Sequence, residues 1–298
     1  MTAERFLGAC WSAVHGPGDP HQLCTWALQQ GFSGFVAGPA PRPVAWARVQ
    51  EQARVLPIRV AAVRVASVLD VERRIDHGIA SGTEADQSAA LQKVEQAVVL
   101  ARELGTPLVV VEPGALRVPG EAGQVDLGDP GARWTQDQAK AQLARRNALL
   151  HRGLDAACRF FFAATRRFPD VTFCLTGSRH VFGLGEPRAL ELLFEDLGGR
   201  QLRYWHDAPV AACRSQLLDT DQGAWLEAFR DRMVGITLGD VADGILYSPP
   251  GSGSVDFPLL SAYASRSAAP PLLDLELDPS VVPGEMPGVR AFLHKYGL

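Results

Sequence analysis

The chain contains no uninterrupted apolar run of the ~18 to 20 residues that a membrane-spanning helix requires. Residues Met1 to Ala9 lack the basic segment, apolar core and small-residue cleavage site of a secretory leader. Cysteine is sparse and scattered: Cys10, Cys24, Cys158, Cys174 and Cys213 are odd in number and form no CxxC pair. A disulfide framework or a thiolate zinc centre needs tighter spacing, so these residues read as buried, reduced thiols in a cytoplasmic protein. Neither charge dominates, with 29 Lys plus Arg against 33 Asp plus Glu and a net charge of −4. The basic stripe that a phosphate backbone demands is missing, which argues against nucleic acid or a membrane surface as partner. Two catalytic signatures are absent as well. Gly177-Ser178 has no second glycine at nucleophile-elbow spacing, and His15, His21, His151, His180 and His294 form no i, i+4 pair.

What remains is a 298-residue chain, 47% hydrophobic and 21% charged, in the range of globular proteins. Short apolar runs alternate with longer amphipathic stretches. The runs are Phe6–Cys10, Gly34–Ala37, Ile58–Val65, Leu108–Val111, Val171–Leu175, Leu202–Trp205, Val234–Leu238 and Leu272–Leu277. Most are rich in Val, Ile and Leu and lie near Gly, Pro or Asp, as strands buried on both faces should be. Between them the spacing is helical: in 84–104, Leu91, Val94, Val98 and Ala101 mark one face. Gly31, Gly105 and the pair Gly198-Gly199 stand where left-handed helix stops are needed.

Eight strands, each followed by a helix, close most simply into an α/β (β/α)8 TIM barrel spanning 1–298 as one domain. A doubly wound open sheet would show a glycine-rich dinucleotide turn, and Gly38-Pro39-Ala40-Pro41 is not one. Long loops at about 66–83 and 113–135 emerge at the C-terminal mouth, where barrel active sites are built. At the strand ends stand Cys10-Trp11, Gly38, Arg64, Glu112, Thr176, His206-Asp207, Thr237, Asp240 and Glu276. Four acids thus converge with one imidazole. Facing carboxylates repel and are costly to desolvate, which calls for a cation, a shared proton or a basic partner. The plainer alternative is that the acids cap the following helices or pair with Arg64 and Arg179.

Four passages give the sequence a likeness to a known family. Ala97 to Pro107 runs into Leu108 to Gly114; Tyr204-Trp205-His206-Asp207 follows; Gly239-Asp240 precedes Pro250 to Phe257; and Leu275-Glu276-Leu277 closes the series. In order and spacing these resemble the xylose-isomerase-like barrels, which include sugar-phosphate isomerases and epimerases. The resemblance implies one divalent ion (Mn, Mg, Co or Zn) held by a glutamate, an aspartate, a histidine and a second glutamate. Asp207 stands at the aspartate position and Glu276 at the second glutamate position. Thr176 stands where the first glutamate is expected, Thr237 replaces the histidine, and Val210 replaces a supporting histidine. Two carboxylates and two hydroxyls are a poor transition-metal site. Three arrangements stay open: ligands rearranged to recruit Glu112 or His206, chemistry without a metal, or a barrel that has lost its chemistry.

The function these readings point to is an isomerase or epimerase acting on a small, sugar-like polyol or hydroxy-carbonyl. Glu112 and Glu276 are then acid and base, with His206 and Asp207 orienting a hydroxyl or a metal. Trp11, Arg64, Thr176, Arg179, Thr237 and Asp240 are the candidate substrate contacts. The alternative from another class is a catalytically inactive barrel used for binding or scaffolding. Apurinic-site nuclease activity, known on similar barrels, would need a histidine-rich multi-metal site that this sequence lacks. Weaker features are the Gly251-Ser252-Gly253-Ser254 loop as a phosphate cradle, Arg73-Arg74 with His77 as an anion grip, and Trp11, Trp134 and Tyr247 as sugar-stacking rings. For each of these, an ordinary loop, a solvated turn or lid packing is the simpler reading.

Overall fold

A computed structural model describes residues 4–65, 78–118, 126–127, 135–199, 201–267 and 269–298. Ten strands are described: β1 (Arg5–Gly8), β2 (Gly34–Ala37), β3 (Arg59–Arg64), β4 (Leu108–Val111), β5 (Thr172–Thr176), β6 (Leu202–Asp207), β7 (Met233–Leu238), β8 (Asp240–Ala242), β9 (Ile245–Ser248) and β10 (Leu272–Leu275). Eight of them close into a parallel barrel in the order β1-β2-β3-β4-β5-β6-β7-β10 and back to β1. The helices are α1 (Ala9–His15), α2 (Pro20–Gln29), α3 (Trp46–Glu51), α4 (Glu84–Glu103), α5 (Gln136–Asn147), α6 (Leu150–Arg167), α7 (Pro187–Leu197), α8 (Ala208–Leu218), α9 (Gly223–Phe229), α10 (Phe257–Arg266) and α11 (Met286–Lys295). The (β/α)8 architecture expected from the apolar runs is therefore the one observed. No helix among the described residues is long and apolar enough to cross a membrane.

Two apolar clusters follow from the period-2 alternation of the strands. Residues facing the helices join the large outer core, which includes Leu7, Phe35, Leu175, Tyr204, Ile236 and Leu275. Residues facing inward form a small second cluster of Phe6, Val36, Ala62, Val110, Cys174 and Trp205. Trp205 is fully buried. Its indole fills space that β7 leaves open: a Cβ on Gly235 would lie 2.4 Å from the Trp205 ring.

The elements end largely where the sequence predicts. Gly31 (φ 82°) and Gly105 (φ 67°) take left-handed backbone after α2 and α4. Thr83 caps α4, and Thr135 caps α5 in a reciprocal box with Gln138. Three strands are shorter than the predicted runs: β3 and β10 by two residues each, and β1, which stops at Gly8 because Ala9 and Cys10 already turn into α1. The hairpin β8–β9 lies beyond the predicted strands. Its turn, Asp243-Gly244, has both residues in left-handed backbone (φ 53° and 79°), the signature of a tight hairpin turn. Of the two long loops, only 78–83, 113–118, 126–127 and 135 are described. Arg73, Arg74, His77 and Trp134 lie outside the described residues.

Gly235→Ala tests the inner packing. Overpacking against Trp205 should lower stability by about 1–3 kcal/mol, read as a drop in melting temperature. A variant as stable as the parent would mean that the indole is free to shift.

Candidate functional site

The inward-facing residues at the C-terminal ends of the strands line a cavity of about 290 Å³. Six of the sequence-predicted site residues meet there: Arg64, Glu112, Thr176, Arg179, Asp207 and Glu276. Glu112 follows β4 and Glu276 follows β10. These strands are four places apart in either direction around the ring, so the two carboxyls enter the cavity from opposite walls.

Each acid is held by its own local chemistry. Gly8 precedes α1 and offers that helix no side-chain cap. Glu276 takes that role from the far end of the chain: its oxygens accept from the backbone N–H of Cys10 (3.4 Å) and Trp11 (3.2 Å). The glycine leaves room for this carboxyl: a Cβ at position 8 would lie 2.2 Å from Glu276 Oε2 and displace it. Burial and the nearby Asp274 push the Glu276 carboxyl up to about 8. Burial likewise raises Glu112 to about 7, against a hydrogen bond from Ser178 and the charge of Arg179. Asp207 caps α8 by accepting from Val210 N–H (3.2 Å), and its other oxygen accepts from the Tyr247 hydroxyl (3.0 Å). Burial raises Asp207 too, opposed first by Arg64.

Arg64 reaches inward from the end of β3. It donates to Asp274 Oδ2 (3.0 Å) and lies 3.9 Å from Asp207 Oδ2. It also donates to the Thr237 hydroxyl. That hydroxyl receives the Trp205 indole N–H as well (2.9 Å) and donates to Asp274 (3.3 Å). The Trp205 ring lies beneath the guanidinium at 5.8 Å. Burial lowers the guanidinium's proton affinity, but Asp274 and Asp207 more than reverse this and the charge is held. Arg179 also faces the cavity and forms a two-pronged pair with Asp126 (2.8 and 3.2 Å). Its segment is fixed from below by the buried Arg214, which donates to the carbonyls of Ser178 (3.3 Å) and His180 (3.1 Å).

Four expected site residues are placed elsewhere. His206 points away from the mouth because its neighbours Trp205 and Asp207 point in, and successive strand residues alternate. Its Nδ1 is 2.9 Å from the Tyr204 hydroxyl, and burial pulls its pKa down to about 3, leaving a neutral ring in the outer core. Trp11 lies on α1 with its ring buried, its indole N–H donating to Val281 O (2.8 Å) and its face against Trp26. Only its backbone serves the site. Thr237 is buried beneath Arg64 and does not line the cavity. Asp240 accepts from the N–H groups of Val241 (2.8 Å), Gly251 (2.9 Å), Gly253 (2.9 Å) and Val255 (3.0 Å). The glycine loop therefore turns these amides onto an internal carboxylate, not onto a phosphate. Asp274 and Tyr247 complete the arrangement. Asp274 is the polar exception inside an apolar run, and Tyr247 follows the Asp243-Gly244 turn; both were signals the sequence carried.

The donor set does not fit the divalent ion that the resemblance implies. Both Glu276 oxygens face helix N–H donors, Asp207 is shared among Val210, Tyr247 and Arg64, and Thr237 is already bonded to Arg64, Trp205 and Asp274. Thr176 adds one neutral hydroxyl. Among the described residues no group of three or more His, Cys, Asp or Glu is placed to hold a metal.

No family model matches this chain, and no curated protein matches its sequence. Solved structures do match its fold. A 3-keto-D-glucoside 4-epimerase from E. coli is 13% identical with a TM-score of 0.63, covering 98% of this chain and 100% of that one. A D-psicose 3-epimerase from Clostridium cellulolyticum H10, solved with D-tagatose, is 8% identical with a TM-score of 0.61, covering 100% and 96%. An AP endonuclease of family 2 from Brucella melitensis is 13% identical with a TM-score of 0.63, covering 97% and 98%. The fold is thus that of the xylose-isomerase-like barrels, as the motif spacing indicates. At these identities the likeness is one of fold.

The raised carboxyls have a consequence for stability. The folded state holds protons on Glu112 and Glu276 that the unfolded chain releases above its ordinary carboxylate range near pH 4.5. Their stabilising contribution is complete below that pH and is lost as pH rises toward 7 and 8; Asp207 and Asp274 act in the same direction. Denaturant melts from pH 5 to 9 should show stability falling. In Glu276→Gln the fall should flatten by about one proton, and an unchanged slope would refute the shift at Glu276. Asp240→Ala should cost roughly 3 kcal/mol or more by stranding four amides, measured by the same melts. A loss within the range of an ordinary surface substitution would show that water replaces the carboxylate.

Proposed function

We propose that the mouth catalyses isomerisation or epimerisation of a small, sugar-like polyol or hydroxy-carbonyl by proton transfer between Glu112 and Glu276. The observation that carries this reading is geometric: two carboxyls reach one cavity from opposite walls of the barrel. Moving a proton from one face of a carbon to the other, or between adjacent carbons, needs one group to accept it and another to return it. Values of about 7 for Glu112 and about 8 for Glu276 suit that pairing, with Glu112 as base and Glu276 as acid. Arg64 and Arg179 supply donors for the negative charge that develops on a carbonyl oxygen, and Asp207 with Tyr247 offers a rigid contact for a neighbouring hydroxyl. The sugar epimerases that share the fold support a sugar-like substrate class.

The test is solvent exchange. Ketoses including D-tagatose and D-psicose, incubated with the protein in D2O, should gain deuterium at the carbon next to the carbonyl, followed by proton NMR. Glu112→Gln and Glu276→Gln should each slow exchange by roughly 10²- to 10⁴-fold. The rate should peak between pH 7 and 8, one limb for each carboxyl. Full activity in Glu276→Gln would reduce that residue to a cap for α1. No exchange on any ketose by the folded protein would favour a binding barrel.

A further inference from the structure

We propose that Arg64 is the resident cation of the mouth: its guanidinium supplies the positive charge that the acids there would otherwise draw from a divalent ion, so the site works without a metal and rejects one. The proposal concerns the same cavity as the proton-transfer reading but rests on the placement of charge, not on turnover.

Two buried acids and the half-buried Glu276 lie around this position. Asp207 and Glu276 line the cavity, and Asp274 lies directly below. Three acids around one buried point demand a positive charge. The guanidinium supplies it, 3.0 Å from Asp274 Oδ2 and 3.9 Å from Asp207 Oδ2. Its seat is shaped for a planar cation, with the Trp205 ring beneath it and the Thr237 hydroxyl accepting at its side. Thr237 takes part through its size as well as its oxygen. A short hydroxyl at this place on β7 accepts from Arg64 and donates a hydrogen bond to Asp274. An imidazole there would have to fit in the same fully buried space. Thr176 follows the same logic. It is buried, neutral, and its hydroxyl has no hydrogen-bond partner among the described residues. A carboxylate at that position would add a fourth acid to a centre with one positive charge at its middle. The two threonines and Arg64 therefore form one consistent set: a monovalent organic cation with fewer charged neighbours.

The chemical consequence is specific. A guanidinium stays protonated in proteins and offers fixed N–H donors, so it stabilises charge on a substrate oxygen by hydrogen bonding. Part of the Arg64 side chain remains open to the cavity, at 20% exposure.

Ion binding decides the matter without any substrate. The parent protein, titrated calorimetrically with Mn2+, Mg2+, Co2+ and Zn2+, should show no saturable uptake at the mouth, and its melting temperature should not move with these ions. One equivalent of uptake that Asp207→Asn or Glu276→Gln abolishes would overturn the proposal. Uptake that both variants leave unchanged lies elsewhere and agrees with it. Arg64→Ala removes the cation and leaves the acids, so Mn2+ should now raise its melting temperature by several degrees. Arg64→Lys, which keeps a charge, should stay indifferent. A folded Arg64→Ala that ignores Mn2+ would show that the guanidinium does not hold an ion's place. Should that variant fail to fold, the parent titration decides alone. Exchange assays on ketoses report separately on the proton-transfer reading, so either idea can fall without the other.

Discussion

The mouth of this barrel depends on the charge of the Arg64 guanidinium. Four acidic side chains, Glu112, Asp207, Asp274 and Glu276, face or underlie a single cavity, and desolvation works against ionising all of them together. Arg64 makes the arrangement tenable by pairing with Asp274 and lying near Asp207. A buried ion pair does little for stability unless its remaining donors and acceptors are met. Thr237, Trp205, Tyr247 and the Val210 amide meet part of this demand, while Arg64 Nε and Asp274 Oδ1 are buried without a partner among the described residues. The guanidinium is a better choice than an ammonium, because its planar fork bonds Asp274 and Thr237 through Nη2, turns Nη1 toward Asp207 and rests on an aromatic face.

Much of the fold could be read from the sequence because a parallel barrel buries both faces of every strand, so that each strand appears as an apolar run. The same property hid part of the site. In a run buried on both sides, hydropathy does not tell the inner face from the outer. His206 and Asp207 are adjacent, and only one of them can face inward. Trp205 decides the parity, since its indole sits in the barrel interior and bonds to Thr237. Asp274 shares the run Leu272–Leu277 with Glu276, and the later acid, at the strand end, drew the site role. A carboxylate inside such a run is itself a sign that a cation lies opposite. Tyr247 belongs to the hairpin that Asp243-Gly244 announces, and it holds its hydroxyl on Asp207 with a left-handed backbone (φ 66°), unusual for a tyrosine.

Several of the acids serve the fold and the cavity with the same carboxyl group. Glu276 caps α1 and Asp207 caps α8 while both line the cavity. Asp240 shows the other outcome. Its carboxylate accepts four backbone N–H groups, organises the turn between β7 and α10, and has no part in the cavity. Acidic residues at strand ends therefore divide by whether the carboxyl that satisfies the backbone also lines the cavity. That test needs three-dimensional geometry, which is why residue type and spacing placed Asp240 and Asp207 in one group.

The size of the central charge sets what the carboxyls can do. A divalent ion at this position would favour the ionised form of every acid around it and draw their pKa values down. Arg64, already shared between Asp274 and Asp207, and Arg179 beside Glu112 compensate only part of the burial cost. Glu112 and Glu276 are left near neutrality, at about 7 and about 8, where each can exist with or without its proton. Proton transfer between opposite walls needs that freedom, and a fully ionised pair would lack an acid. The proposed place of Arg64 in an ion's stead and the raised pKa values of the two glutamates follow from the same electrostatic cause.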